Sequence, residues 1–351
     1  MASEHPLYVG VDVGATKIVS AAYAIPADRE RPGDALAQVK TKTPRTEKAK
    51  DLVAAITASA KEAIGKAGGS CAGIGVAVPG PLDRAKGIVR YTPNLGLEEY
   101  PLAEELSKSL GMPVFLENDV QAGVLGELVA GALRGVTNAV GIFIGTGIGG
   151  GLVLDGKLYR GSTGSAGEIG HMILLDGGPL CGCGNHGCLE ALASRTAMAK
   201  DALALAASGK APAMLSAAGT DIRHYRSSAF EEALEGKDEA IGKVIDRSGF
   251  WLGVAMANLV NLLNPEAIVV GGGVAARFGK RILKAARESM EERLMPGLAG
   301  SVRILLSELG DLAVPAGAAI AARRAVLEAS AGGAGGTNGA GGKDGAGGTA
   351  R

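Results

Sequence analysis

Aromatic side chains, cysteine and any surplus of charge are all scarce in this chain. Its 351 residues include one Trp, five Phe, six Tyr and four Cys, while acidic and basic residues balance at 36 each. That balance leaves no broad positive field, which argues against nucleic acid or an anionic membrane as a partner. Cysteine is too rare for a disulfide framework, and Cys71 stands far from the other three, so a reducing compartment is expected. Met1 to Pro6 hold no basic region followed by an apolar run, so no secretory signal is read there. Apolar stretches elsewhere are too short, or too broken by glycine and charge, to span a bilayer. These shortages point to a soluble cytoplasmic protein, long enough for two domains at about 100–200 residues each.

Glycine is what the chain has in excess, 56 of them, alongside abundant Ala, Val, Leu and Ile. This profile suits an α/β protein with many tight turns. Leu7 to Val13 reads as a strand, Asp12-Val-Gly14-Ala-Thr16-Lys17 as a turn, and Ile18 to Tyr23 as a second strand. The pattern recurs in the middle. Ala139 to Ile144 is strand-like, Gly145 to Gly150 is the turn, and Gly151 to Leu154 is the returning strand, followed by an Asp155-Gly156 hairpin turn. A dinucleotide-binding or P-loop turn would open into a helix instead. Two such units, one opening each half, predict two related domains facing each other across a cleft.

Between and beyond them the apolar spacing predicts helices over Asp51–Lys66, Asp119–Ala132, Leu189–Ala207, Glu239–Leu263 and Arg277–Leu294, with a last one from Pro315. Strands are predicted at Ile74–Val78, Pro113–Leu116 and Ala267–Val270, the last running into Gly271-Gly272-Gly273. From Ala331 onward the composition is almost wholly Gly, Ala, Thr, Asn and Lys, which cannot bury enough apolar surface to order itself.

The glycine turns carry the first chemistry. Phosphate groups need close approach by backbone N–H, which glycine permits. Asp12 at a strand end can hold Mg²⁺, and Thr16 and Lys17 can reach phosphate oxygens. Ordinary hairpins are the plainer account of each turn; the pair together with Asp12 favours phosphate. Glu117-Asn118-Asp119 lies between a strand and a helix, the boundary that faces the ligand crevice in α/β folds. One account has Asn118 or Asp119 simply capping the helix. The other makes Asp119 a general base on an attacking hydroxyl.

The densest signal lies between Gly167 and Glu190. His171 precedes Cys181, Cys183 and Cys188, the ligand set of a closed Cys₃His zinc site with no open position. His186 is the alternative nitrogen ligand. Glu168 and Glu190 bracket the set, and carboxylates tied to metal ligands are held still enough to recognise a polyol.

In combination and order, these motifs identify the chain as resembling the ROK-family sugar kinases, within the actin/hexokinase-like superfamily, and bacterial glucokinases most of all. The anchors are the Asp12–Lys17 turn, Val78-Pro-Gly-Pro81, Pro93-Asn94-Leu95-Gly96, Glu117-Asn118-Asp119, Gly145–Gly150, Gly167–His171, Cys181–Glu190 and Gly271–Gly273, covering Leu7 to about Ala325.

The resemblance implies a two-domain, ribonuclease H-like α/β fold with a cleft. Residues 1–118 with about 311–328 would form the small domain, 119–310 the large domain with zinc, and 329–351 a disordered tail. It implies ATP-dependent phosphorylation of a hexose 6-hydroxyl, glucose first, with Asp119 as base. Asn94, Asn118, Asp119, Glu168, His171 and Glu190 would hold the sugar. ATP with Mg²⁺ would lie among Asp12, Gly14, Thr16, Lys17, Gly145, Thr146, Gly147, Gly271, Gly272 and Gly273. Zn²⁺ would sit on His171, Cys181, Cys183 and Cys188, and the protein would be a homodimer.

The family often reads Asn-Asp-Ala-Asn-Ala where this chain has Asn118-Asp119-Val120-Gln121-Ala122, and an aromatic residue where it has Leu97. Fructose, mannose or an N-acetylhexosamine, and polyphosphate as donor, therefore stay open. A sugar-responsive repressor is the rival from the same family. It would need a DNA-binding domain before the phosphate motif, for which no room is expected ahead of Asp12.

Overall fold

The computed structural model describes residues 5–45 and 48–334. Strands β1 (Leu7–Val13), β2 (Lys17–Ala24) and β3 (Ala37–Lys42) form an antiparallel meander, and helix α1 (Ala49–Ala67) crosses to β4 (Cys71–Val78), which pairs in parallel with β1. A small sheet of β5 (Leu82–Asp83), β6 (Ile88–Thr92) and β7 (Leu97–Tyr100) follows. Helix α2 (Leu102–Leu110) then returns the chain to β8 (Val114–Asn118), parallel to β4. The first large sheet has the order β3-β2-β1-β4-β8. Leu52, Val53, Ile56, Ala60 and Ala63 of α1 are buried, the face their spacing predicts.

Helix α3 (Asp119–Val129) leads to the second half, which opens with β9 (Ala139–Ile144), β10 (Ile148–Leu154) and β11 (Lys157–Tyr159). Helices α4 (Leu189–Ala193), α5 (Arg195–Ala207), α6 (Pro212–Ala218), α7 (Ser227–Glu235) and α8 (Glu239–Leu263) come next. The chain then forms β12 (Ala267–Gly271), α9 (Gly272–Glu291), β13 (Arg303–Leu306) and α10 (Ala313–Ala334). The second large sheet has the order β11-β10-β9-β12-β13. Replacing β1, β2, β3, β4 and β8 by β9, β10, β11, β12 and β13 converts one order into the other. In each sheet the first strand pairs antiparallel with the second and parallel with the fourth, so the halves share one topology. Each sheet has its own apolar cluster, around Val9, Ile56 and Leu106 in the first half and around Ile142, Leu252 and Val270 in the second.

Helices α3 and α10 cross where the halves meet. Their backbones are nearly in contact: a Cβ on Gly317 would fall on the Ala122 carbonyl oxygen. Glu127, wholly buried in α3, accepts from Ser307 Oγ (2.6 Å) and the N–H groups of Leu309 (3.0 Å), Glu308 (3.2 Å) and Ala132 (2.7 Å), fastening the segment before α10. No helix among the described residues is long and apolar enough to cross a membrane.

Several element expectations need correction. The single helix expected over Leu189–Ala207 is broken at Ser194, whose extended backbone (ψ 166°) and side-chain oxygen, accepting from Ala197 N–H at 3.2 Å, cap a new helix. Helix α9 starts at Gly272 rather than Arg277, so Gly272 and Gly273 are its first turn and not a loop. Helix α10 starts at Ala313, and Pro315 still falls in the first turn, where no N–H is needed. The same helix runs to Ala334, so residues 329–334 are helical, against the tail expected from 329; residues 335–351 lie outside the described residues.

Candidate active site and metal centre

Strand β8 ends on Asn118, and α3 begins on Asp119. Asn118 is the N-cap: its Oδ1 accepts from the N–H of Val120 and of Gln121, both at 3.1 Å, and its Nδ2 donates to the Gly80 carbonyl at 3.4 Å. The two readings of the Asn-Asp pair thus separate, with Asn118 doing the capping. Asp119 is half-buried, and Val120 N–H also donates to its Oδ1 at 2.9 Å. Burial pushes the Asp119 carboxyl up to about 6; the backbone donors of Val120 and Asp119 itself pull it down, and the Glu168 charge pushes it up again.

Asp12, next to last in β1, is close enough to share this field. Its pKa is raised to about 7, first by burial and then by Asp119, with Lys17 opposing and Asp311 adding. Two carboxylates held this way in one cleft are deficient in positive charge, which suits a divalent cation.

The first glycine turn is closed by Gly14 N–H to the Lys17 carbonyl (3.0 Å) and braced by Thr43 Oγ1, which donates to the Gly14 carbonyl (2.6 Å). Thr16 is exposed on this turn. Lys17 and Lys40 both reach Asp311, each at 3.0 Å, so the lysine expected on phosphate has a carboxylate partner here. In the second turn Gly145 N–H donates to the Gly147 carbonyl at 2.8 Å, and strand β10 resumes at Ile148, earlier than expected. Gly271 and Gly272 pack against Phe143 and Ile144, which lead into that turn. The end of β12, the N-terminus of α9 and the second turn are therefore neighbours, and helix N-termini favour anions.

His171, Cys181, Cys183 and Cys188 bring their ligand atoms within 4.8 Å of one another. Cys181 Sγ lies 3.7 Å from His171 Nδ1, and Cys183 Sγ lies 3.7 Å from Cys188 Sγ. Zn–S bonds of about 2.3 Å in a tetrahedron place sulfurs about 3.8 Å apart, so the spacing fits that ion. His186 is excluded: it is exposed, and its Nδ1 bonds the Gly178 carbonyl at 2.9 Å.

From this cluster the carboxylates reach in two directions. Glu168 approaches the outer nitrogen, Nε2, of His171 at 4.0 Å and lines a hollow with Gly80, Asn118 and Gln121. Glu190 Oε1 lies 3.8 Å from Cys181 Sγ, while its Oε2 accepts from Ile148 N–H at 2.9 Å. Glu190 therefore spans metal cluster and second turn. Asn94 sits exposed on a single 3-10 turn, Pro93–Leu95, and does not line that hollow.

Two contributors escaped the sequence reading. Gln121, almost wholly buried, clamps the segment before Glu168 by donating from Nε2 to the carbonyls of Gly164 (3.0 Å) and Ala166 (3.2 Å). Buried Glu117 accepts from Arg84 at 2.8 Å and Arg160 at 2.7 Å. Neither pairing has a sequence signal, because the partners are tens of residues apart.

Paired sheets of one topology, two glycine turns and a cleft carboxylate define a sugar kinase of the actin/hexokinase-like fold. The chain belongs to the ROK family, whose model matches residues 8–325. It is 37% identical to a glucokinase of Thermotoga maritima over 70% of this chain and 77% of that protein. It is 34% identical to a glucokinase of Halalkalibacterium halodurans over 87% and 91%. A xylose repressor of Caldicellulosiruptor bescii is 34% identical over 70% of this chain but 61% of its own length. Among solved structures, a ROK glucokinase from Streptomyces griseus in complex with glucose and AMPPNP superposes with a TM-score of 0.79 at 31% identity, covering 91% of this chain and 99% of that one.

Proposed function

We propose that this protein transfers the γ-phosphoryl group of ATP to the 6-hydroxyl of a hexose, glucose above others, giving the sugar 6-phosphate and ADP. Asp119 carries the reading: a carboxylate at the start of α3, held by backbone N–H, raised by the Glu168 charge and itself raising Asp12. Its pKa of about 6 makes it a stronger base than a free aspartate, yet it is ionised at neutral pH. The hydroxyl oxygen bonds to the γ-phosphorus, the bond to the bridging oxygen breaks, and that electron pair leaves with ADP. The hydroxyl proton goes to Asp119.

Asn118 through Nδ2, Glu168, His171 and Glu190 hold the sugar hydroxyls, with Asn94 joining them from its exposed turn only as the lobes close. The backbone around Gly14, Thr16, Gly145, Thr146, Gly147 and Gly271–Gly273 receives the phosphates, with Lys17 released from Asp311 to join it. Asp12 would hold the Mg²⁺ that accompanies ATP, and the ion would supply the positive charge that the Asp12–Asp119 pair lacks. His171, Cys181, Cys183 and Cys188 hold a structural Zn²⁺. The lobes that close on the substrates are 1–118 with about 311–328, and 119–310. The glucokinase relatives and the glucose-bound neighbour support the kinase reading; a cytoplasmic homodimer is proposed with it on the family resemblance alone.

A hexose panel with ATP and Mg²⁺, read by ADP release, tests the reaction. Asp119→Ala lowers kcat by about 10²–10⁴ while leaving glucose affinity within a few-fold; near-normal kcat in that variant refutes the assignment. The repressor likeness favours one second reading, a sugar-responsive regulator, and specific operator binding in a gel shift would replace the kinase with it.

A further inference from the structure

The break between α4 and α5 sets a guanidinium against the second glycine turn. Arg195, first residue of α5, donates from Nη2 to Thr146 Oγ1 at 2.5 Å. Three more bonds tie turn and helix: Arg195 N–H to the Gly145 carbonyl (3.1 Å), Thr196 N–H to the Thr146 carbonyl (3.3 Å), and Thr196 Oγ1 to the same carbonyl (2.7 Å). The Arg195 side chain thus lies where backbone N–H groups and a helix N-terminus already favour negative charge.

Arg195 is half-buried, yet no carboxylate pairs with it among the described residues. Its charged neighbour is a second cation, Arg226, exposed just before α7 and also without an ion-pair partner among them. Burial and the repulsion from Arg226 both depress the Arg195 pKa. By contrast, the half-buried Arg160 and its neighbour Arg84 share the Glu117 carboxylate. A guanidinium has five N–H donors, and the Thr146 hydroxyl takes one. Burying the rest beside a like charge costs free energy unless an anion arrives. Holding Thr146 needs one neutral donor; it does not need two cations.

We propose that Arg195, with Arg226 beside it, is a cationic subsite that binds a phosphate group of the phosphoryl donor at the Gly145–Gly147 turn. That the anion belongs to ATP rests on the kinase reading; that the site takes a phosphate chain does not. Guanidinium suits the task because its fork can bond two oxygens of one phosphate at once.

Calorimetric titration of adenosine, AMP, ADP, ATP and inorganic tripolyphosphate tests this on wild type, Arg195→Gln, Arg195→Lys and Arg226→Gln. Glutamine keeps a donor for Thr146 and removes the charge. Arg195→Gln weakens ATP and tripolyphosphate about tenfold or more, leaves adenosine unchanged, and is partly rescued by Arg195→Lys. Arg226→Gln weakens the same ligands less. The first member of the adenosine–AMP–ADP–ATP ladder to lose affinity identifies the phosphate held. Unchanged ATP and tripolyphosphate affinity in Arg195→Gln overturns the proposal, as does an equal loss for adenosine, which would make Arg195 only a support of the turn. Tripolyphosphate binding that depends on Arg195 in a protein that ignores ATP upholds the subsite and refutes ATP as donor.

Discussion

Asp119 and Asp12 show how one residue type is turned to different ends by its surroundings. Both carboxyls titrate well above the usual carboxylate range, at about 6 and about 7, because burial disfavours the charged form, with the Asp119 charge adding to this at Asp12 and the Glu168 charge at Asp119. For catalysis the sign is direct: the base works ionised, so kcat/KM rises as pH climbs through about 6, and at pH 5 about a tenth of Asp119 is available. A pH–rate profile in Mg²⁺ checks this; an acid limb near 4, where a free aspartate titrates, would contradict it. For stability the sign is opposite. Between about pH 4 and their folded pKa values the folded state holds protons that the unfolded chain has released, so their contribution to the ligand-free fold is fully present only below about pH 4. That advantage is lost as pH rises through 6 and 7.

At the scale of elements, the α3–α10 crossing depends on the absence of side chains. Gly317 lets α10 lie on the Ala122 carbonyl, and Gly126 does the same toward Ala313. Gly317→Ala has to push two helix backbones apart, costing roughly 1–3 kcal/mol by the usual price of overpacking. Denaturant unfolding measures that; a stability within a few tenths of wild type would mean that the crossing is looser than described.

Strands β1, β2 and β9 were legible as short apolar runs buried on both faces, α1 and α8 by the helical spacing of their buried residues, and α3 by the strand end and Asn118 cap before it. The break at Ser194 was not, since the apolar spacing continues through it. What divides the helix is a tertiary bond, Arg195 N–H taken by the Gly145 carbonyl, which the sequence cannot display. Strand β3 and helices α2, α6 and α7 went unread for a related reason: they are short, and neighbours complete them.

Across the whole molecule, one line of contacts joins the two ends of the site. It runs from Glu168 through His171 and Cys181 to Glu190, and from Glu190 to Ile148 N–H at the second turn. A metal in the His171–Cys188 cluster would therefore brace the proposed sugar wall and the proposed phosphate turn together. Stripping it with a chelator raises the KM for hexose severalfold and lowers Tm, while added Zn²⁺ restores both. Metal analysis of active protein is the check, and full activity without zinc would remove the cluster from the account.

The sequence alone determined the chemistry on offer: which carboxylates, thiols and glycine turns exist, and in what order. It did so because ligand type and local turn geometry depend on residues near one another in the chain. Tertiary structure alone decided that His186 stands outside the metal cluster, that Lys17 meets Asp311, and that Arg195 comes to rest on Thr146. Those outcomes depend on contacts between residues as much as 294 positions apart. Such contacts exist only once two sheets and their helices have packed.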